Sequence, residues 1–199
     1  MDRIKKLGIL AGNRDLPFVV AKEARKAGIE QLVAVAFEGE TDPALAALVD
    51  EIVWIKVGQL TKMIRALTDR GVERCVMAGQ VAPSNLFKVR PDIRGVMVLM
   101  RLKERNAHTI FGAVGDELAK EGVTLISAVP WLTPVMPGEG FLAGAKPTQQ
   151  ILDDAEYGFQ IAKVITKLEI GQTVVVKEGT TLAVEGWESP QQLITLDLA

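Results

Sequence analysis

The chain has one cysteine, Cys75, and one histidine, His108. A lone cysteine cannot close an internal disulfide, so nothing points to an oxidising compartment. Cys75 sits inside an apolar run and reads as a core residue. A Ser-His-Asp or Cys-His site would have to use His108, and nothing near it resembles a nucleophile elbow. HxxxH, CxxC and EF-hand spacings are missing, which argues against a tightly held zinc or calcium. A weakly held magnesium, bridging carboxylates and substrate phosphates, needs no such spacing.

Long hydrophobic runs are missing too. None approaches the ~18 residues that span a bilayer. The apolar stretch Leu7–Ala11, behind Met1-Asp2-Arg3-Ile4-Lys5-Lys6, is too short for a signal sequence and runs into Asn13-Arg14-Asp15. A cytoplasmic protein is expected. Charge of one sign is also scarce. Lys and Arg total 23 against 25 Asp and Glu, net −2, so no nucleic-acid partner is expected. What the chain does have is 48% apolar residues in 199, enough for a core without disulfides or metals.

Leu7-Gly8-Ile9-Leu10-Ala11 reads as a strand buried on both faces and closed by Gly12. Pro17 suits the first turn of a helix running to Ala27, with Gly28 as its stop. Further strands are expected at Leu32–Phe37, Ile52–Ile55, Arg74–Ala78 and Val123–Ala128. Thr41-Asp42-Pro43 starts a short helix. Over 59–70, Leu60, Met63, Ile64 and Leu67 fall at i, i+3, i+4 and i+7. Two more helices are expected over 92–103 and 107–121. Strands alternating with helices imply a mostly parallel open α/β sheet with helices on both faces.

From 129 to 147 the composition shifts to Pro130, Pro134, Pro137 and Pro147 with Gly138, Gly140 and Gly144. The division expected is therefore a first domain over 1–130, a linker over 131–147 and a second domain over 148–199. In the last, a helix over 149–167 carries Leu152, Ala155, Phe159 and Ala162 on one face. Thr173–Val176 and Thr181–Val184 flank Glu178-Gly179 as a hairpin. A helix and one hairpin are little for an independent core, so this domain is expected to be partial.

Three places can carry chemistry. The loop Gly12-Asn13-Arg14-Asp15-Leu16-Pro17 follows the first strand, where ligands gather in an open parallel sheet. It lacks the glycines of a dinucleotide fingerprint and the Lys-Ser/Thr of a P-loop, and a plain tight turn is the other reading. Met77-Ala78-Gly79-Gln80-Val81 ends the fourth strand. Gly79 lets backbone approach a ligand and Gln80 offers a donor and an acceptor; the alternative is a turn with a solvated amide. Lys88 to Arg105 is a basic amphipathic stretch. It can face an anionic phosphate or rest at a membrane surface, or it is a solvated helix face. Asp153, Asp154, Glu156 and Glu185 are the carboxylates near the second domain, where a solvated helix face and a hairpin edge are the plainer reading.

Several runs together are specific: Pro147-Thr148, Asp154, Tyr157-Gly158-Phe159, Leu168 through Gly179 (LEIGQTVVVKEG) and Leu182-Ala183-Val184-Glu185. With Gly8–Gly12, Leu16-Pro17, Met77-Ala78-Gly79 and Arg90-Pro91-Asp92, they resemble the LpxI family of UDP-2,3-diacylglucosamine pyrophosphatases. The likeness covers residues 6 to about 186. It implies a metal-dependent hydrolase that cleaves a lipid-linked sugar nucleotide to UMP and 2,3-diacylglucosamine 1-phosphate (lipid X) in lipid A biosynthesis. It also implies a Rossmann-like first domain, a second α/β domain, the lipid between them, and a divalent ion, magnesium first. Gly12, Asn13, Leu16, Pro17, Gly79 and Gln80 would line the substrate cleft. Asp154 and Glu185 would hold the metal or order the second domain. The family's catalytic aspartate is expected beyond this C-terminus. Arg14 stands where the family has a small residue, Gln80 where lysine is common, and His108 where an acid is expected. The other readings are a non-catalytic nucleotide- or lipid-binding module, and a homo-oligomer in which a partner chain completes the second domain. Peripheral contact with the inner membrane would suit the lipid.

Overall fold

The computed structural model describes residues 4–81, 91–103 and 107–186, with only the backbone of Ala107 and His108. The chain forms two compact units, Met1–Met136 and Pro137–Ala199.

The first unit is built on five parallel strands: β1 Lys6–Ala11, β2 Gln31–Phe37, β3 Glu51–Ile55, β4 Arg74–Ala78 and β5 Thr124–Leu125. Their spatial order is β3-β2-β1-β4-β5. The order reverses beside β1, the middle strand, so the chain leaves β1 to opposite sides of the sheet. Side chains alternate across β1. Leu7, Ile9 and Ala11 join one core with Val20, Ala21 and Ala24 of α1 (Leu16–Lys26). Leu10 faces the other core, with Met63, Ile64 and Leu67 of α2 (Leu60–Thr68). Gly8 is small because α2 lies on it: a Cβ there would come within 2.8 Å of Leu67 Cδ2 and 2.9 Å of Cys75 Cβ. The apolar positions read at i, i+3, i+4 and i+7 in α2 are all buried. Each such side chain contributes about 1.5–3 kcal/mol on burial.

Two helices, α3 Ile93–Arg101 and α4 Ala107–Lys120, cover the α2 side of the sheet. Asp92 fixes how α2 and α3 start. One carboxylate oxygen accepts from Thr61 N–H at 2.7 Å, the other from Gly95 N–H at 2.8 Å. A single side chain thus caps both helices. After Asp42, a 3-10 turn over Pro43–Leu48 stands where a short helix was expected.

Two expectations need correcting. The fifth strand is two residues, not the six of Val123–Ala128, because it is an edge strand that pairs only with Arg74 and Cys75 of β4. The first unit does not end at residue 130. A short helix α5, Val129–Leu132, buries Trp131 in the α1 core, and a 3-10 turn follows over Thr133–Val135. An aromatic anchor overrides the loop signal of the surrounding prolines.

The second unit holds α6 Gln149–Lys167 and an antiparallel hairpin, β6 Val174–Lys177 with β7 Thr180–Val184. Gly158 lets β6 lie on α6, since a Cβ there would meet Val176 Cγ2 at 3.1 Å. The expected apolar face of α6 is not enclosed: Leu152 and Phe159 are about half exposed, and Ile165 is the buried residue of the helix. Among the described residues, no helix is long and apolar enough to cross a membrane.

Candidate functional site

At the carboxyl ends of the strands, beside the reversal point, the β1 and β4 loops interlock. Gly12 N–H donates to the Ala78 carbonyl at 2.8 Å, and Asn13 N–H to the Gln80 carbonyl at 2.7 Å. This pairs Asn13 with Gln80 as an antiparallel bridge. Both glycines are required by the approach. A Cβ on Gly12 would fall 2.3 Å from the Gln80 oxygen; one on Gly79 would fall 2.5 Å from the Asn13 oxygen, and Gly79 has φ +87°. The structure therefore brings Gly12, Asn13, Gly79 and Gln80 together.

Asn13 is further held by its Nδ2, which donates to Glu40 Oε2 at 2.8 Å. Its Oδ1 is buried without a hydrogen-bond partner. Thr41 ties the β2 loop to the same place, donating to the Ala11 carbonyl and accepting from Phe37 N–H at 2.9 Å. Arg14 adopts φ +65°, a left-handed conformation that is costly for a side chain of its size. Leu16 is half exposed at the start of α1. Pro17 is fully buried. It packs into the α1 core and starts the helix, so it does not line a cleft as expected. Gln80 is exposed, and its backbone is what the β1 loop uses.

Against this knot lies a cavity of about 330 Å³. Leu10, Met77 and Ala78 form its floor, Leu60 and Met63 of α2 one wall, and Val98, Leu99, Ile110 and Phe111 of α3 and α4 another; Gly12 and Gly79 reach its edge. The lining is almost wholly apolar, and Gln59 is its one polar side chain among the described residues. Such a cleft takes up hydrocarbon or the face of a ring, not a charged group. Two features escaped the sequence reading. The Gly58-Gln59 contribution carries no motif. Asp92 opens the helix expected over 92–103, and only its pairing with both Thr61 and Gly95 marks it as a joint cap.

Burial alone would raise the Asp92 pKa, but the N–H groups of Gly95 and Thr61, with the charge of Arg94, outweigh it and hold the carboxyl below its usual range. Burial drives the Cys75 thiol up to about 12, so it stays protonated and unreactive. In the basic stretch, Arg94 is not a free cation: it binds Glu117 at 2.6 Å and Glu121 at 2.8 Å. Lys88, Arg90, Glu104 and Arg105 lie outside the described residues, as do the His108 side chain and residues 187–199.

In the second unit, Asp154 accepts from the N–H groups of Gly179 at 2.7 Å and Glu178 at 2.8 Å. Both turn residues have positive φ, 51° at Glu178 and 72° at Gly179, the conformation of a two-residue hairpin turn. Glu185 accepts from Gln172 N–H at 2.8 Å, at the open end of the hairpin. β7 lies between the two carboxylates, a separation of roughly 16 Å at about 3.3 Å per residue. They do not share one metal ion; each orders its own end of the hairpin. Among the described residues, no group of three or more His, Cys, Asp or Glu could hold a metal. The divalent ion implied by the resemblance does not fit this pair.

Comparison with known proteins follows the same division. A profile described as the LpxI N-terminal domain matches residues 6–134, and one described as the LpxI C-terminal domain matches 138–196.

The chain belongs to the LpxI family.

The junction of the two structural units, between Met136 and Pro137, falls in the short gap at 135–137 between the two LpxI profiles. The chain is similar to the UDP-2,3-diacylglucosamine pyrophosphatase LpxI of Caulobacter vibrioides, at 29% identity over 194 residues, covering 96% of this chain and 68% of that protein. Among solved structures, it is similar to a biotin carboxylase domain of a thermophilic 2-oxoglutarate carboxylase (TM-score 0.38, 16% identity, 61% of this chain and 22% of that one). The biotin carboxylase subunit of a pyruvate carboxylase gives TM-score 0.38 at 12% identity, with 87% of this chain and 29% of that one. The chain spans less than a third of either structure, and an overlap that slight says nothing of function.

Proposed function

We propose that this LpxI chain acts on UDP-2,3-diacylglucosamine, adding water across the pyrophosphate to release UMP and 2,3-diacylglucosamine 1-phosphate in lipid A biosynthesis. What carries the reading is the match of both LpxI domains in order along the chain, together with the activity named for the Caulobacter relative. The first unit adds a physical reason. An apolar cavity at the strand ends, edged by the interlocked Gly12 and Gly79 loops, suits a ligand with one hydrocarbon part and one polar part. A cytoplasmic site, with contact at the inner face of the membrane where an acylated sugar nucleotide resides, belongs to the same proposal. So does a divalent ion, magnesium first, with ligands other than Asp154 and Glu185 as a pair.

The cavity lining supports a second, narrower reading. Among the described residues the lining holds no acid or base, which favours binding rather than hydrolysis at this cavity. The experiment is to incubate the full chain with the diacylated UDP-sugar and magnesium, and to follow UMP release and melting temperature together. UMP release establishes the hydrolase. A rise in melting temperature with lipid X but no UMP leaves the binding module. Neither effect from a folded sample overturns both.

A further inference from the structure

Helix α3 is apolar on two faces, and among the described residues only one of them is covered. On the inner face Gly95 and Val98 are buried, and with Leu99 they line the cavity. On the outer face Ile93, Val96, Met97 and Met100 fall at i, i+3, i+4 and i+7, one continuous stripe. They are 80%, 40%, 47% and 75% exposed. A solvated helix face, one of the sequence readings, would place polar residues there.

Along the helix and its C-terminal end the charges are of one sign. From Ile93 to Lys103 the chain carries Arg94, Arg101 and Lys103 and no acid, in a protein of net charge −2. Arg94 is neutralised by Glu117 and Glu121, but Arg101 and Lys103 are exposed. A shallow depression of about 440 Å³ borders the stripe beside Ile93 and Met97; Glu117 in its lining pairs with Arg94 and Lys120, which leaves Arg101 as its exposed cation. Long bare apolar side chains with cations at their flank match the boundary between lipid headgroups and acyl chains.

We infer that the outer face of α3 docks on an anionic phospholipid bilayer, with Ile93, Met97 and Met100 entering the acyl boundary and Arg101 and Lys103 meeting the lipid phosphates. The inner face of the same helix walls the apolar cavity, so docking sets the cavity one helix thickness from the bilayer. That last consequence, delivery of an acylated substrate, rests on the proposed function; the docking itself does not.

The test uses the full chain and vesicles rich in phosphatidylglycerol, compared with vesicles of phosphatidylcholine alone. Flotation is expected with the anionic vesicles, falling about tenfold on neutral vesicles or on the double variant Arg101→Glu, Lys103→Glu. Ile93→Glu with Met100→Glu is expected to abolish flotation at unchanged melting temperature, because both side chains are exposed. A second measurement does not depend on that variant. In Met100→Cys, a polarity-sensitive dye reports position 100 alone, since Cys75 is buried, and its emission is expected to shift to the blue on anionic vesicles. No flotation of the unaltered chain overturns the docking, and so does flotation unaffected by Ile93→Glu, Met100→Glu. A doubled solution mass that this variant abolishes overturns it in favour of a second copy on the stripe. Hydrolysis of a short-chain, water-soluble substrate by a chain that fails to float would sink the docking and leave the hydrolase standing.

Discussion

Gly79 lies so near the Asn13 carbonyl that a methyl group on its Cα would stand 2.5 Å from that oxygen. With φ +87° the position resists a side chain twice over, by conformation and by contact. Gly79→Ala is expected to destabilise the first unit by roughly 1–3 kcal/mol, and Gly12→Ala by a similar amount. Urea denaturation measures it. Because the same loops edge the cavity, the rise in melting temperature with lipid X should shrink in both variants. A variant with wild-type stability would mean that the two loops do not interlock in solution.

Asp92 joins two helix starts, so Asp92→Ala should cost more than one cap, about 1–3 kcal/mol in total. The pH dependence has a definite sign. The native carboxyl titrates below its usual value of 3.8. The unfolded chain therefore takes up the proton first. The contribution of Asp92 is fully present above the ordinary carboxylate range and fades as pH falls through the native pKa. Asp92→Asn should flatten the acid limb of the stability curve, which chemical denaturation across the acid range would show.

Asp154→Ala should loosen the tip of the hairpin without unfolding α6. The Gly179 N–H first, then that of Glu178, holds this carboxyl below its usual range. Amide exchange at those two residues is expected to accelerate, while exchange at Gln172, tied to Glu185, stays as it was. Acceleration at both ends together would mean that the two carboxylates work as one group after all.

Cys75 should resist thiol reagents in the native chain. Its side chain is fully buried in the α2 core and its thiol is displaced to about 12. Reaction with a disulfide reagent is expected to follow global unfolding, and rapid labelling without denaturant would contradict the packing around Gly8.

The first four strands and the α2 helix are legible because burial writes apolar runs and a helical period into the sequence. The Gly12 loop and the Gly79 turn are each legible as candidates from their places after apolar strands, but that they interlock shows only in the structure. What a single sequence could not show is partnership across distance. Asp92 reads as a helix start and turns out to serve two. Asp154 and Glu185 read as one acidic set, and β7 stands between them. Pro17 reads equally well as site or scaffold, and burial decides for scaffold. Around Trp131 the prolines signalled a linker, while one aromatic side chain drew the segment into the first core.

Gly8 of β1 has two neighbours made at different moments. Its bond partners on β2, around Val33, are local, whereas Cys75 on β4 comes much later in the chain. During synthesis the middle strand must wait, half-paired and apolar from Leu7 to Ala11, until β4 leaves the ribosome. Such long-range parallel pairing is slow and leaves an edge open to other chains. Slowed translation between α2 and β4 would therefore prolong the interval in which this protein can be captured by chaperones or lost to aggregation.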